Sequence, residues 1–257
     1  MEYKTLSVQK NDHIAVITFQ NPAMLNALTP AFLEEYGHLL DELQRVPDIS
    51  VVIVTGEGKA FIAGADISAM VSMGPVSAAN YADQTSRLYH HLETSDKIFI
   101  AAINGYTLGG GCEFALACDL RIASSKAKFG FPEVSLGIFP GAGGTQRLPR
   151  LIGMAKAKEL VYTGETITAD EALHTGLVSC VVAPEELLNK ANDIAKRILS
   201  NSRYAVSMSK KAFYQGAQMT LPSATELEKD LFSLCFDYPD QKEGMAAFQE
   251  KRKPHFQ

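Results

Sequence analysis

Three consecutive glycines and two glutamates carry the chemistry open to this chain. Gly109, Gly110 and Gly111 lie in Asn104-Gly-Tyr-Thr-Leu-Gly-Gly-Gly-Cys-Glu113, ahead of a run with helical character, Glu113-Phe-Ala-Leu-Ala-Cys118. Glycine loses more backbone freedom on ordering than any other residue, so a triplet before a helix answers a geometric need. Without Cβ atoms the backbone is open to close approach by a ligand. The free N–H groups at a helix start point outward and carry partial positive charge. They suit negative charge developing on an oxygen. Glu113 puts a carboxylate beside that spot, and Glu133, in Phe129-Gly-Phe-Pro-Glu133, supplies a second. Amide donors with two carboxylates describe protons and water moving around an enolate.

The elements that must position these groups alternate. His13–Gln20 is β-rich, and Ser50–Thr55 and Ile98–Ile103 are continuous apolar strands of the kind buried on both faces. Thr29 to Val46 has helical spacing, with Thr29 as N-cap and Pro30 at the first helical position. A second helix is expected near Val76 to Glu93, and Leu120–Ala123 is a short strand. The fold class is therefore α/β. Thr145 to Thr163 reads as one helix or a broken pair, and Thr168-Ala-Asp-Glu171 as a capping box before a helix that stops at Gly176. Leu177–Val182 reads as a strand. After Pro184 the pattern is helical, with breaks at Pro222, Pro239 and Pro254. Residues 1–196 read as the α/β core and 197–257 as a helical appendage with apolar faces, suited to docking on a neighbouring subunit.

Composition narrows the partners. The 257 residues are 46% hydrophobic and 21% charged with a net charge of −5, ordinary for a globular protein and wrong for a nucleic-acid binder. Four cysteines form no C-x-x-C pair, which argues against zinc and for a reducing compartment. No signal-peptide profile opens the chain and no apolar run is long enough to span a bilayer, so a cytoplasmic protein without membrane association is expected. A Walker-type phosphate loop, G-x-S-x-G and H-E-x-x-H are all absent, and Gly141-Ala-Gly143-Gly144-Thr-Gln146 fails G-x-G-x-x-G at its last position.

Four loops with unusual backbone chemistry remain: Phe61–Asp66, Gly109–Glu113, Phe129–Glu133 and Pro140–Thr145. Loops after strands gather at one edge of an α/β core, where ligands bind. With Asn21-Pro-Ala-Met-Leu-Asn-Ala-Leu28, Lys59-Ala-Phe-Ile-Ala-Gly-Ala-Asp-Ile67, Leu136–Arg147 and Phe248–Pro254, these stretches resemble, in order along the chain, an enoyl-CoA hydratase of the crotonase (hydratase/isomerase) superfamily. The resemblance implies a spiral of β-β-α repeats with a C-terminal helical region used in trimer contacts, and homotrimers or dimers of trimers.

It also implies roles. The oxyanion donors fall on the amides of Ala65 and Gly110, and the catalytic carboxylates on Glu113 and Glu133. Gly141 matches a glycine whose amide helps hold the water. The carbonyl of Ala63 falls where the family contacts adenine, with Ile67 beside the substrate. The substrate would be a trans-2-enoyl thioester of coenzyme A, with no separate cofactor and no metal. Glu113 would mainly activate water and Glu133 mainly deliver the proton to Cα, a division that physical reasoning from the sequence does not make. Both glutamates together point to hydration; related readings are a methylglutaconyl-CoA hydratase, a 3-hydroxyacyl-CoA dehydratase or a silent acyl-CoA-binding subunit.

Simpler roles compete at some positions. Asp66 is better read as a cap of the following helix than as a substrate contact. Lys59 and Lys251 are candidates for one coenzyme A phosphate contact each, Lys251 across a subunit boundary, although charge runs are usually solvated. Phe131 stands where many hydratases carry glutamine; with Phe139 it is expected to narrow the acyl pocket toward short or branched chains.

Overall fold

The computed structural model describes residues 3–256. Among them, ten strands run in chain order: β1 (Leu6–Asn11), β2 (Ile14–Phe19), β3 (Val51–Gly56), β4 (Ala60–Ile62), β5 (Ile98–Ile103), β6 (Tyr106–Leu108), β7 (Leu120–Ser124), β8 (Lys128–Gly130), β9 (Thr166–Thr168) and β10 (Cys180–Val182). They form a six-stranded sheet, β1-β2-β3-β5-β7-β10, and a four-stranded sheet, β4-β6-β8-β9. From β2 to β10 the larger sheet is parallel, with β1 antiparallel at its edge. β3, β5 and β7 lie in the larger sheet, and each is followed by a short strand of the smaller one: β4, β6 and β8. Repetition of strand, strand, helix is the expected spiral.

The helices are α1 (Pro30–Gln44), α2 (Ile67–Met70), α3 (Pro75–Thr94), α4 (Gly110–Ala117), α5 (Gly144–Ile152), α6 (Met154–Thr163), α7 (Ala169–His174), α8 (Leu187–Leu199), α9 (Arg203–Gly216), α10 (Leu221–Cys235) and α11 (Pro239–Gln249). Thr29 caps α1, accepting from Phe32 N, and Thr168 and Glu171 close the capping box of α7. β5 is buried at every residue, as its unbroken apolar sequence requires.

Several boundaries differ from the sequence expectation. α4 begins at Gly110, so Glu113 sits inside its first turn instead of at its start. Of the two readings of the 145–163 stretch the broken pair holds, split at Gly153, whose φ of 83° no helix continues. The helical breaks expected at Pro222 and Pro239 are present, each proline standing in the first turn of the helix that follows the break. Only Cys180–Val182 of the 177–182 strand pairs. The line drawn at 196/197 falls inside α8.

Two apolar layers bracket the larger sheet. α1 buries Phe32, Leu33, Tyr36, Leu39, Leu40 and Leu43 on one side, and α8 buries Leu187, Ala191 and Ala195 on the other. α10 buries none of its residues, and Phe213, Leu221, Phe232 and Phe248 of the C-terminal helices are exposed. No helix among the described residues is long and apolar enough to cross a membrane.

Candidate active site

Phe114 fixes the orientation of Glu113. Its ring is fully buried against Phe19, Tyr36, Phe61 and Tyr89, with centroid distances of 5.5, 5.4, 5.8 and 5.7 Å. Edge-on aromatic contacts at such distances each add roughly 0.5–1.5 kcal/mol beyond simple burial. With Phe114 held in the core, the preceding residue lines a cavity of about 460 Å³. That volume lies within the usual range for small-molecule sites.

Each glycine of the triplet makes a different close approach. Gly109 has φ 51° and ψ −121°, a conformation that side chains disfavour. A Cβ on Gly109 would lie 2.8 Å from Glu133 Oε1, one on Gly110 would lie 2.6 Å from Leu28 Cδ1, and one on Gly111 would lie 2.0 Å from the Ile62 carbonyl. The first two glycines make room for cavity-lining side chains; the third lets α4 pack on β4.

The cavity is lined by Ala63, Gly64, Ala65, Ile67, Gly109, Gly110, Glu113, Glu133, Phe139 and Gly141, among others. The amides of Ala65 and Gly110 have no acceptor among the described residues. Both belong to peptides whose carbonyls accept a bond: Gly64 O takes Leu28 N–H at 2.9 Å, and Gly109 O takes Glu113 N–H at 3.0 Å. Such chains of hydrogen bonds polarise the peptide and strengthen its N–H as a donor. α3 secures both loops, through Tyr81 OH to Leu28 O at 3.2 Å and Tyr89 OH to Gly110 O at 2.7 Å.

The two glutamates are held differently. Glu113 Oε1 accepts from Ala142 N–H at 2.8 Å and Gly144 N–H at 2.7 Å. Gly144 is the first residue of α5, so the carboxylate faces a second helix's positive end. Burial pushes the Glu113 carboxyl up, and those two amides and Arg147 oppose the shift. Glu133 follows Pro132 in a 3₁₀ turn, Pro132–Leu136. Its Oε2 is buried without a hydrogen-bond partner among the described residues. Burial first, and the Glu113 charge after it, push Glu133 up to about 7, with only its own amide opposing. Two carboxyls whose charges act on each other titrate as a pair. The member with amide donors carries the negative charge more readily, and the member without them carries the proton.

Four candidates lie outside the cavity lining. Asp66 caps α2, accepting from Ser68 N–H and Oγ–H at 3.0 and 2.5 Å and from Ala69 N–H at 3.4 Å. Phe131 is buried in the main core, so it does not narrow the acyl pocket; Phe139, Leu136 and Ile138 supply the apolar bulk there. Lys59 is exposed in the turn between β3 and β4, and Lys251 is exposed beyond α11. Gly141 lines the cavity, but Ala142 and Gly144 supply the amides on Glu113.

Sequence reasoning missed residues that act at a distance. Asn26 Nδ2 donates to Glu57 O and Ala60 O, and Asn104 Nδ2 donates to Gly58 O and Ala60 O. Together they fasten the β3–β4 turn that leads to Ala65. A positive φ of 56° at Asn26 fits its asparagine identity, but no local pattern announces its partners.

The comparisons agree with this geometry. The sequence pattern of the family described as Enoyl-CoA hydratase/isomerase matches residues 9–257. A short-chain-enoyl-CoA hydratase of Clostridium acetobutylicum is 47% identical over 98% of this chain and 97% of its own. A crotonyl-CoA hydratase of Syntrophomonas wolfei is 47% identical over 100% of this chain and 99% of its own. The crystal structure of an enoyl-CoA hydratase from Bacillus anthracis superposes with a TM-score of 0.95 at 41% identity, covering 98% of this chain and 99% of that one.

Proposed function

The chain belongs to the enoyl-CoA hydratase/isomerase family, and we propose that it adds water reversibly across the trans-2 double bond of short-chain enoyl-CoA thioesters. The carrying observation is the unequal pair on one cavity, an amide-held Glu113 and a Glu133 whose Oε2 is buried without a partner, beside the two free amides of Ala65 and Gly110. An enzyme that only shifts a double bond needs no second group to activate water.

The thioester oxygen accepts from the Ala65 and Gly110 amides, which makes Cβ electrophilic and stabilises the enolate as it forms. Loss of one such donor typically costs about 3 kcal/mol. Glu113 takes a proton from water as the oxygen adds to Cβ, and Glu133 gives its proton to Cα. No separate cofactor enters, because amides and carboxyls supply both polarisation and proton transfer; coenzyme A arrives as part of the substrate. Phe139, Leu136 and Ile138 give the cavity an apolar wall, which, with the names of the relatives, supports a short acyl chain. The Ala63 carbonyl is a candidate contact for the adenine, and Lys59 and Lys251 for phosphate. Phe232 and Phe248, exposed on the C-terminal helices, support a homotrimer or a dimer of trimers. Four free cysteines support a reducing, cytoplasmic location.

A spectrophotometric hydration assay over a chain-length series tests the substrate class. The rate falls as the acyl chain lengthens; a flat profile refutes the short-chain assignment.

A further inference from the structure

We propose that Glu93 and Arg147 form a positioning clamp that holds the 140–144 loop so that its amides grip Glu113, and that both side chains thereby set the rate of water addition without lining the cavity. Arg147 on α5 meets Glu93 on α3 with both prongs of its guanidinium, Nε to Oε1 at 2.6 Å and Nη2 to Oε2 at 2.8 Å. The two side chains are only 20% and 16% exposed. A forked arginine–carboxylate pair fixes orientation as well as distance. The third nitrogen, Nη1, donates to the carbonyl of Ala142 at 2.8 Å. The amide of that same residue, with that of Gly144, holds Glu113 Oε1. The loop is shaped for the guanidinium: a Cβ on Gly143, whose φ is 103°, would lie 2.0 Å from Arg147 Nη1.

The far end of the clamp is rooted in the helix that already steadies the oxyanion loops. Tyr81, Tyr89 and Glu93 stand at intervals of eight and four residues on α3, which brings them to one helix face. Tyr81 holds Leu28, Tyr89 holds the Gly110 carbonyl, and Glu93 holds Arg147. One helix thus fixes the relative position of both oxyanion loops and the Glu113 loop. A displacement of about 1 Å in such a constellation costs on the order of a hundredfold in rate.

The clamp also sets the field at Glu113. Facing that carboxyl are Glu133 from the 132–136 turn, Tyr81 and Tyr89 from α3, Cys112 from α4 and Arg147 from α5. Facing Arg147 are Glu93 and Tyr89 from α3, Glu113 from α4 and Tyr214 from α9. Arg147 is the cation that opposes the burial of Glu113. Removing its charge raises the pH at which Glu113 takes up a proton. Removing the Glu93 charge leaves Arg147 less neutralised and lowers that pH.

This inference rests on the reading of Glu113 as the water-activating base, and the test separates the two. The experiment is the pH profile of kcat and KM with crotonyl-CoA for the parent chain, Arg147→Gln, Arg147→Lys, Glu93→Gln and Glu113→Gln. We expect Arg147→Gln to lose kcat by about 10- to 100-fold, with KM changed less than about threefold and the acid limb moved up. Glu93→Gln should lose kcat with the acid limb moved down. Arg147→Lys keeps the charge without the fork, so it should keep the parent's acid limb and still lose kcat. It also serves if Arg147→Gln fails to fold. Parent-like kcat in the arginine and Glu93 variants, or losses with no opposed shift of the limb, overturn the clamp. Parent-like activity in Glu113→Gln overturns the underlying reading instead.

Discussion

The carboxylate of Glu133 rests against the bare α-carbon of Gly109, where a Cβ would meet Oε1 at 2.8 Å. The glycine triplet and the second glutamate, distant in sequence, are therefore one feature. Gly109 gives up its side chain to make room for the Glu133 carboxyl. Its amide donates to Gly130 O at 2.9 Å, so the strand leading to Glu133 and the strand leading to the triplet are locked together.

Gly109→Ala should consequently strike function and backbone together. Its φ of 51° with ψ of −121° costs alanine about 1–3 kcal/mol, and the new methyl pushes Glu133 aside. Thermal unfolding should register that loss, while turnover falls by at least about tenfold. Unaltered kinetics would show that Glu133 needs no fixed position.

The raised Glu133 carboxyl has a pH signature in stability. With a folded value of about 7 against an ordinary 4.5, the folded state holds the proton more tightly than the unfolded chain. The favourable contribution is complete below about 4.5 and is lost as pH rises through 7. Glu133→Gln removes the titration. It should therefore be more stable than the parent at pH 8, by on the order of 1–2 kcal/mol after allowance for solvent screening, and the gap should close by pH 4. Parallel denaturation curves at both pH values would contradict the burial argument.

Tyr89 is fully buried, and its hydroxyl is the partner of the Gly110 carbonyl at 2.7 Å. Tyr89→Phe removes that hydrogen bond but leaves the carbonyl in the first turn of α4, a cost of about 0.5–1.5 kcal/mol. It also frees the first turn of α4, so kcat should fall more than KM rises. Equal loss of stability with full kcat would reduce Tyr89 to packing.

Much of this arrangement was legible because it is local. β5 is an unbroken apolar run, the Thr168–Glu171 box announces its helix, and the glycine triplet marks a loop that lines the cavity. The smaller sheet was not legible: β4, β6, β8 and β9 have three residues each, too few for an alternating pattern to register. Phe131 misled because position along the chain does not say which way a side chain turns. It faces the core, while Phe139 faces the cavity. The amides that hold Glu113 come from residues 142 and 144, and the Glu93–Arg147 pair spans 54 positions. Such contacts exist only after folding.

Phe232 and Phe248 are 63% and 86% exposed on helices that pack little of their apolar surface within one chain. Replacing both with aspartate should shift the sedimentation of the protein from a trimer, or a dimer of trimers, to a single chain. A parent that sediments as a monomer would contradict the subunit-docking role.

Exhaustive dialysis against a chelator should leave the hydration rate unchanged, since the proposed mechanism draws every step from amides and carboxyls. Loss of activity that returns on adding a divalent cation would require a different mechanism.

The most direct measurement is turnover of crotonyl-CoA by Glu113→Gln and Glu133→Gln beside the parent chain. Each change keeps the side chain's shape and removes its acid–base capacity. Both variants should lose at least about a hundredfold in kcat and remain folded. Parent-like turnover in either variant would contradict the two-carboxyl account of water addition.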